Sequence, residues 1–164
     1  DFVHDTLADG SLLRVLTVID TYRRECLAVV PQRRFRGEDL ARILSAIGTE
    51  RGLPMRITVD NGTEFTSRAL DAWAYWNHVQ LDFSRPGKPV DNTLIEAFNG
   101  SLRRECLSQH WFVSLPEAEQ ILQAWRLDYN TLRPHSSLGD HSPLREHVGG
   151  HFIPNPDRLV QFAY

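Results

Sequence analysis

Asp60-Asn61-Gly62 closes the short apolar run Arg56–Val59. That run follows a helical segment, so the order predicts a strand parallel to an earlier one, reached by a crossover. An acid at the carboxyl end of such a strand points into the crevice where α/β sheets bind ligands. The same three residues are good turn formers, and a plain turn is the competing reading. Further on, Asn92, Glu96, Asn99 and Arg103 are spaced by 4, 3 and 4, so they share one face of a predicted helix at 91–107. Ile95, Phe98, Leu102 and Cys106 share another, its core side. One carboxylate on a polar face is a weak anchor for a divalent cation. Several acids converging from different elements are a strong one, because Mg²⁺ takes hard oxygen ligands in near-octahedral geometry. A solvated polar face is the competing reading of this helix.

Three motifs carry a more specific signal in combination: Asp60-Asn61-Gly62-Thr63-Glu64-Phe65, Asn92-Thr93-Leu94-Ile95-Glu96-Ala97-Phe98-Asn99, and Tyr129-Asn130-x-x-Arg133-Pro134-His135-Ser136-Ser137-Leu138-Gly139. Together they resemble the catalytic core of a bacterial insertion-sequence transposase of the acid-triad type, kin to the retroviral integrase core on a ribonuclease H-like fold. The 35 residues between Asp60 and Glu96 match that group's spacing. Arg103, seven places after Glu96, matches its basic residue. The group's first aspartate, on the first strand, is matched by Asp1 in Asp1-Phe2-Val3. Asp5 lies on the same strand face as Asp1 and is a fallback. Asp20 also follows an apolar strand, but suits a hairpin turn.

The resemblance implies metal-dependent phosphoryl transfer: DNA cleavage followed by strand transfer. Asp1, Asp60 and Glu96 would be both catalytic acids and ligands of two Mg²⁺ ions, with Mn²⁺ able to substitute. Arg103 and Lys88, with Arg85, Asn92 and Asn99, are the expected DNA contacts. The arginines Arg33, Arg34 and Arg36 form a further basic stretch. The partners implied are DNA, as element ends and target, and further copies of the chain on that DNA. Two alternatives stand beside this reading. A stand-alone nuclease of the same fold would lack the Tyr-Asn-x-x-Arg-Pro-His segment and this spacing. A non-catalytic DNA-binding or assembly module would tolerate loss of an acid, and here every expected acid is present.

The elements that must position these residues can be read from periodicity. Residues 1–5, the run 12–19 and Leu27–Val30, closed by Pro31, predict three antiparallel strands with turns at Asp9-Gly10 and Asp20–Arg24. Leu40, Ile43, Leu44 and Ile47 mark a helix face, with Glu38 and Asp39 at its positive end and Gly52 after it. A second helix fits Ser67–Asn77, and Val79–Phe83 alternates as a strand. Ser84–Val90 is a Pro/Gly loop, expected to order on DNA. Ser114-x-x-Glu117 is a capping box for a last helix with the stripe Ala118, Ile121, Leu122 and Trp125. The expected architecture is α/β, a mixed five-stranded sheet (βββαβαβ) flanked by helices. Residues 1–130 would be the core, and 131–164 an irregular tail carrying the Arg-Pro-His-Ser-Ser-Leu-Gly segment.

The 164 residues are 41% hydrophobic and 24% charged, ordinary globular proportions that exclude a disordered or fibrous chain. No apolar run is long enough to cross a membrane. Two cysteines, Cys26 and Cys106, suit a reduced cytoplasmic compartment, near the nucleoid if DNA is the substrate. A zinc site around His135, His141 and His147 is not expected without nearby cysteines. The net charge of −3 gives no global support for DNA binding, so that case rests on local arginines and lysine. It suits a core that relies on a separate upstream DNA-gripping region, and the chain is expected to be a fragment of such a protein.

Overall fold

In a computed structural model, which describes residues 1–85, 92–144 and the backbone of 159–161, the apolar run at 12–20 forms the central strand β2 (Leu12–Asp20). Its side chains alternate between two sealed layers. Leu16 and Val18 enter one apolar cluster, and Leu13, Val15 and Ile19 enter the other. Burial on both faces explains why the run reads as continuously apolar.

Strand β1 (Phe2–Thr6) runs antiparallel to the first half of β2, with Phe2 opposite Leu16. Strand β3 (Glu25–Gln32) runs antiparallel along the other side of β2. Helix α1 (Gly37–Arg51) leads to β4 (Arg56–Val59), and helix α2 (Arg68–Trp76) leads to β5 (Gln80–Phe83), parallel to β4. These two helices close the cluster holding Leu16, Val18, Ile57 and Phe65. Helices α3 (Thr93–Glu105) and α4 (Leu115–Thr131) close the opposite one.

The predicted order of elements is observed, but the sheet has six strands rather than five. Leu159–Gln161 forms β6, antiparallel to β2 at Ile19 and Asp20 and parallel to β4. Since β1 pairs only with residues 12–16 of β2, β6 lies end to end with β1 on the same side of that strand. The region after residue 130 is therefore not wholly irregular. A 3₁₀ turn spans Ser136–Leu138, His135 pairs with His141, and the Leu144 N–H returns to Asn130 O at 3.0 Å.

Local signals explain most boundaries. Asp39 accepts from the Arg36 N–H at 3.0 Å, and α1 stops at Gly52, whose φ of 76° suits glycine. The Ser67 and Ser114 hydroxyls cap α2 and α4, accepting from Leu70 N and Glu117 N at 3.3 Å. The predicted capping box at Ser114 is shifted: the Glu117 carboxylate accepts from the Val113 N–H at 2.6 Å, one residue earlier. Pro31 does not end β3 but sits inside it, opposite Val15. Within the described residues β3 pairs only with β2, and proline is tolerated on an edge strand when its missing N–H faces outward. Helix α4 lies along this edge. Gln123 donates to Val29 O at 2.8 Å and Arg126 to Cys26 O at 2.9 Å, while Asn130 bonds both Cys26 N and Cys26 O.

Gly37 opens α1 directly against the cap of α2. A Cβ there would stand 1.9 Å from Ser67 Oγ and 2.6 Å from Ser67 Cβ. Gly37→Ala is expected to cost about 1–3 kcal/mol by overpacking, readable as a drop in Tm, despite alanine's better helix propensity. An unchanged or higher Tm would show that the two helix starts can separate freely.

Candidate active site

The site forms where the start of β1, the end of β4 and one face of α3 meet. Asp1 is buried beside the middle of β2: its nitrogen donates to Thr17 O at 2.9 Å, and Thr17 N donates to Asp1 O at 2.8 Å. Alternation places Thr17 on the α3 side of β2, where its hydroxyl donates to Asn99 Oδ1 at 2.9 Å. The Asn99 amide in turn donates to Asp1 Oδ2. One asparagine thus ties α3 to two strands of the sheet.

Asp60 follows the last residue of β4 and is only 1% exposed. Its Oδ1 accepts from the Gly62 N–H at 2.5 Å, so the turn reading of Asp-Asn-Gly is correct as local geometry. Its Oδ2 is buried with no hydrogen-bond partner among the described residues. Burial pushes the Asp60 carboxyl above the usual carboxylate range, and the Gly62 bond acts against that shift. Register brings the opening of β1 toward Asp60: β6 joins Ile19 of β2 to Thr58 of β4, and Asp1, bonded to Thr17, lies on that same side of β2.

Glu96 lies in the first turn of α3, exposed, one turn before Asn99. Among the described residues, no three His, Cys, Asp or Glu side chains stand close enough together to hold a metal ion. Asp1 and Asp60 thus stand at the same end of the sheet, and Glu96 is exposed in the first turn of α3. Both oxygens of Asp1 are engaged within the protein, one by the Asn99 amide and the other by the Phe2 N–H at 2.5 Å.

The other expected site residues have specific places. Asn92 accepts from the Ser84 hydroxyl at 2.8 Å, and Ser84 also bonds Val59 O and takes the Asn61 amide on its carbonyl. This network fixes the start of α3 to the end of β4. Arg103 donates to His4 O on β1 at 2.8 Å. Arg85 is exposed. Lys88 and most of the Ser84–Val90 loop lie outside the described residues. Asp20 accepts from Tyr22 N and Arg23 N, both at 3.0 Å, and so serves the hairpin turn. Asp5 accepts from the adjacent Thr6 N–H. Trp73 is buried and Trp125, on α4, packs partly buried against the α3-side cluster, while Trp76 and Trp111 are exposed.

Sequence reasoning missed the pair Arg14–Glu64. Arg14 lies over the Phe2 ring at 4.1 Å and is ion-paired with Glu64 of the Asp-Asn-Gly-Thr-Glu-Phe segment. Burial raises the Glu64 carboxyl, but the Arg14 guanidinium outweighs this and holds it below its ordinary value. The pair pins the turn that carries Asp60 to β2. A charged residue inside an otherwise apolar strand was the available signal.

The integrase core domain family matches residues 1–89 and again 77–143, and the chain belongs to that family. It is 46% identical over 143 residues to the 31.7 kDa protein of insertion element IS407 from Burkholderia multivorans, covering 87% of this chain and 52% of that one. It is 30% identical over 147 residues to the transposase for insertion sequence element IS904 from Lactococcus lactis, covering 87% and 57%. The chain thus spans about half the length of these relatives. Among solved structures, the HTLV-2 integrase catalytic core domain in complex with magnesium superposes with a TM-score of 0.70 at 17% identity, covering 90% of this chain and 92% of that one. An integrase chain of a simian T-cell lymphotropic virus intasome gives 0.79 at 18% identity, covering 95% and 55%. The fold is that of the retroviral integrase catalytic cores.

Proposed function

We propose that the chain is the catalytic domain of an insertion-sequence transposase that cleaves DNA and joins strands, with Asp1, Asp60 and Glu96 as its acid triad. The observation that carries this reading is Asp60: a buried carboxylate with one oxygen unpartnered among the described residues, at the end of a parallel strand and at the same end of the sheet as the start of β1. An unpartnered buried carboxylate oxygen is costly, and a cation is the partner that suits it. The oxygen donors suit Mg²⁺ or Mn²⁺, which would be held by Asp1, Asp60 and Glu96. When bound, such ions supply Lewis-acid activation of the attacking oxygen and stabilisation of the leaving 3′-oxygen.

The chain's own residues do the rest. Asn92 and Ser84 hold the Glu96 turn near β4. Asn99 holds Asp1 in place through its amide. Arg103, Arg85 and Lys88 would hold phosphates of the DNA, with further copies of the chain assembled on it. The experiment is an assay with this chain and DNA carrying the element's end sequence, with Mg²⁺ and with EDTA. Metal-dependent joined products are expected. Cleavage without joining would favour a stand-alone nuclease, and DNA binding with neither would favour a non-catalytic module.

Arg103→Ala separates two roles. Its bond to His4 O is exposed and goes to a neutral acceptor, worth about 0.5–1.5 kcal/mol at most. As a phosphate contact, its loss should lower DNA affinity alike for all sequences and reduce the salt slope of log K by about one. A clear fall in Tm with an unchanged slope would make Arg103 a tether of β1 alone.

A further inference from the structure

A pocket of about 290 Å³ lies between α3, the β2–β3 turn and the segment after α4, lined by Arg24, Ser101, Tyr129, Arg133, His135 and Ser137 among others. Water takes about 30 Å³ per molecule in the liquid, so the space admits a tetrahedral oxyanion with part of its hydration. Its lining is unusual. Two guanidiniums, an imidazole and two hydroxyls meet there, and much of their hydrogen-bonding capacity is unspent. Among the described residues, Arg24 Nη1 and His135 Nε2 are both buried without a hydrogen-bond partner. Arg24 uses its Nε on Ser137 Oγ at 3.2 Å. Arg133 stacks over Tyr129 at 5.4 Å and pairs with Glu105. Glu105 thus offsets one guanidinium, and among the described residues no carboxylate pairs with the other. Burial and the two arginines together hold the His135 ring below its ordinary pKa, the field expected of a positive pocket.

We propose that this pocket is a phosphate-binding subsite that takes a backbone phosphate of DNA. A planar guanidinium suits a tetrahedral oxyanion, and the hydroxyls of Ser101 and Ser137 add neutral donors. The assignment to DNA rests on the function proposed above and on position. Ala97 and Ser101 line the pocket, one and five residues after Glu96, so it opens on the flank of the same helix. Five residues of helix rise about 7.5 Å. Two nucleotide steps of one strand rise about 6.8 Å. A strand with one phosphate at the acids therefore has another within reach of the pocket.

Arg24→Asn tests this cleanly. Arg24 has a φ of 57°, a left-handed conformation that asparagine adopts readily, so the backbone keeps its turn while the guanidinium is lost. Ser137→Ala is the second variant, at an exposed position. Two measurements are made on the intact chain without metal, so that failure of DNA cleavage cannot be mistaken for failure here. Inorganic phosphate is titrated while the amide resonances of Ser101 and Ser137 are followed by NMR. A duplex DNA is then bound at several salt concentrations. In the parent chain both resonances should shift saturably with phosphate. Arg24→Asn should weaken phosphate binding at least tenfold and lower the DNA salt slope by about one; Ser137→Ala should weaken phosphate binding by less. Absence of phosphate-induced shifts in the parent overturns the subsite. Phosphate binding lost in Arg24→Asn with an unchanged DNA slope overturns its assignment to DNA and leaves a small-anion site.

Discussion

Asp60→Asn and Glu96→Gln are each expected to reduce DNA cleavage and joining to below about a hundredth of the parent rate while the chain remains folded. Groups that only orient a metal ligand cost about 10–100-fold when removed, so a direct ligand should cost more. The two variants should differ in stability. The carboxamide that Asp60→Asn introduces can still accept from the Gly62 N–H, which is the bond Asp60 makes now. It removes a charge that burial disfavours, since the folded pKa of Asp60 lies above its unfolded value. The penalty on the ionised form is absent below the unfolded carboxylate range and complete above the folded pKa. Asp60→Asn should therefore raise Tm at neutral pH and leave it unchanged at acid pH. Glu96 is exposed, and Glu96→Gln should hardly move Tm. Divalent ions supply a further check. At a concentration 100 times Kd, a ligand of the folded state alone stabilises by about 2.7 kcal/mol. In a chain of this size that is a rise in Tm of about 5–11 °C, which Asp60→Asn should abolish. Activity above a tenth of the parent in either variant, or an undiminished metal-induced shift in Asp60→Asn, would remove these residues from the metal site.

The second large effect is expected at Asn130, and it concerns stability. Asn130 is 4% exposed, and its amide closes both polar groups of Cys26, accepting from the N–H at 2.8 Å and donating to the carbonyl at 2.9 Å. Cys26 lies at the start of β3, next to the register shift between Val18 and Ile19 of β2. Asn130→Ala leaves a buried N–H with no acceptor, while the carbonyl keeps Arg126. One orphaned buried group costs about 1–3 kcal/mol, and the lost packing adds to it. Tm is expected to fall by about 4–12 °C at 2–4 °C per kcal/mol. Asn130→Asp should recover less than half of the loss, because a carboxylate accepts from Cys26 N but faces Cys26 O with no donor. A Tm within 1 °C of the parent for Asn130→Ala would show that water replaces the amide.

Much of the fold was legible because periodicity and capping act locally. Leu40, Ile43 and Leu44 are buried as the helix spacing requires, Gly52 ends α1, and Ser67 and Ser114 begin their helices. The core face of α3 is also as read, with Ile95, Phe98, Leu102 and Cys106 all buried. What escaped depends on pairing across the chain. Three residues, Leu159–Gln161, are too few to show a period, and only the open stretch of β2 beyond β1 gives them a place. Pro31 looks like a terminator until β3 is known to be an edge. At the site, Asp60 was legible from its strand-end position. The partners of the polar α3 face were not: a solvated amide and one bonded to a carboxylate 98 residues away look alike in sequence. Asn99 and Asn92 were expected to meet DNA, and each is bonded within the protein. Thr17, polar among Leu13, Val15 and Ile19 on the α3 side of β2, was the sequence sign that something polar crosses to it.

The contacts between α4 and β3 have a consequence for how copies of this chain can meet. A free strand edge invites strand addition, the route by which sheets extend into aggregates. Here Gln123, Arg126 and Asn130 occupy outward groups of that edge, and Pro31 deletes a donor from it. A second copy cannot zip onto β3 without first stripping the helix away. Copies of this chain that meet at β3 must therefore do so through side chains of α4, leaving the two sheets separate along that edge.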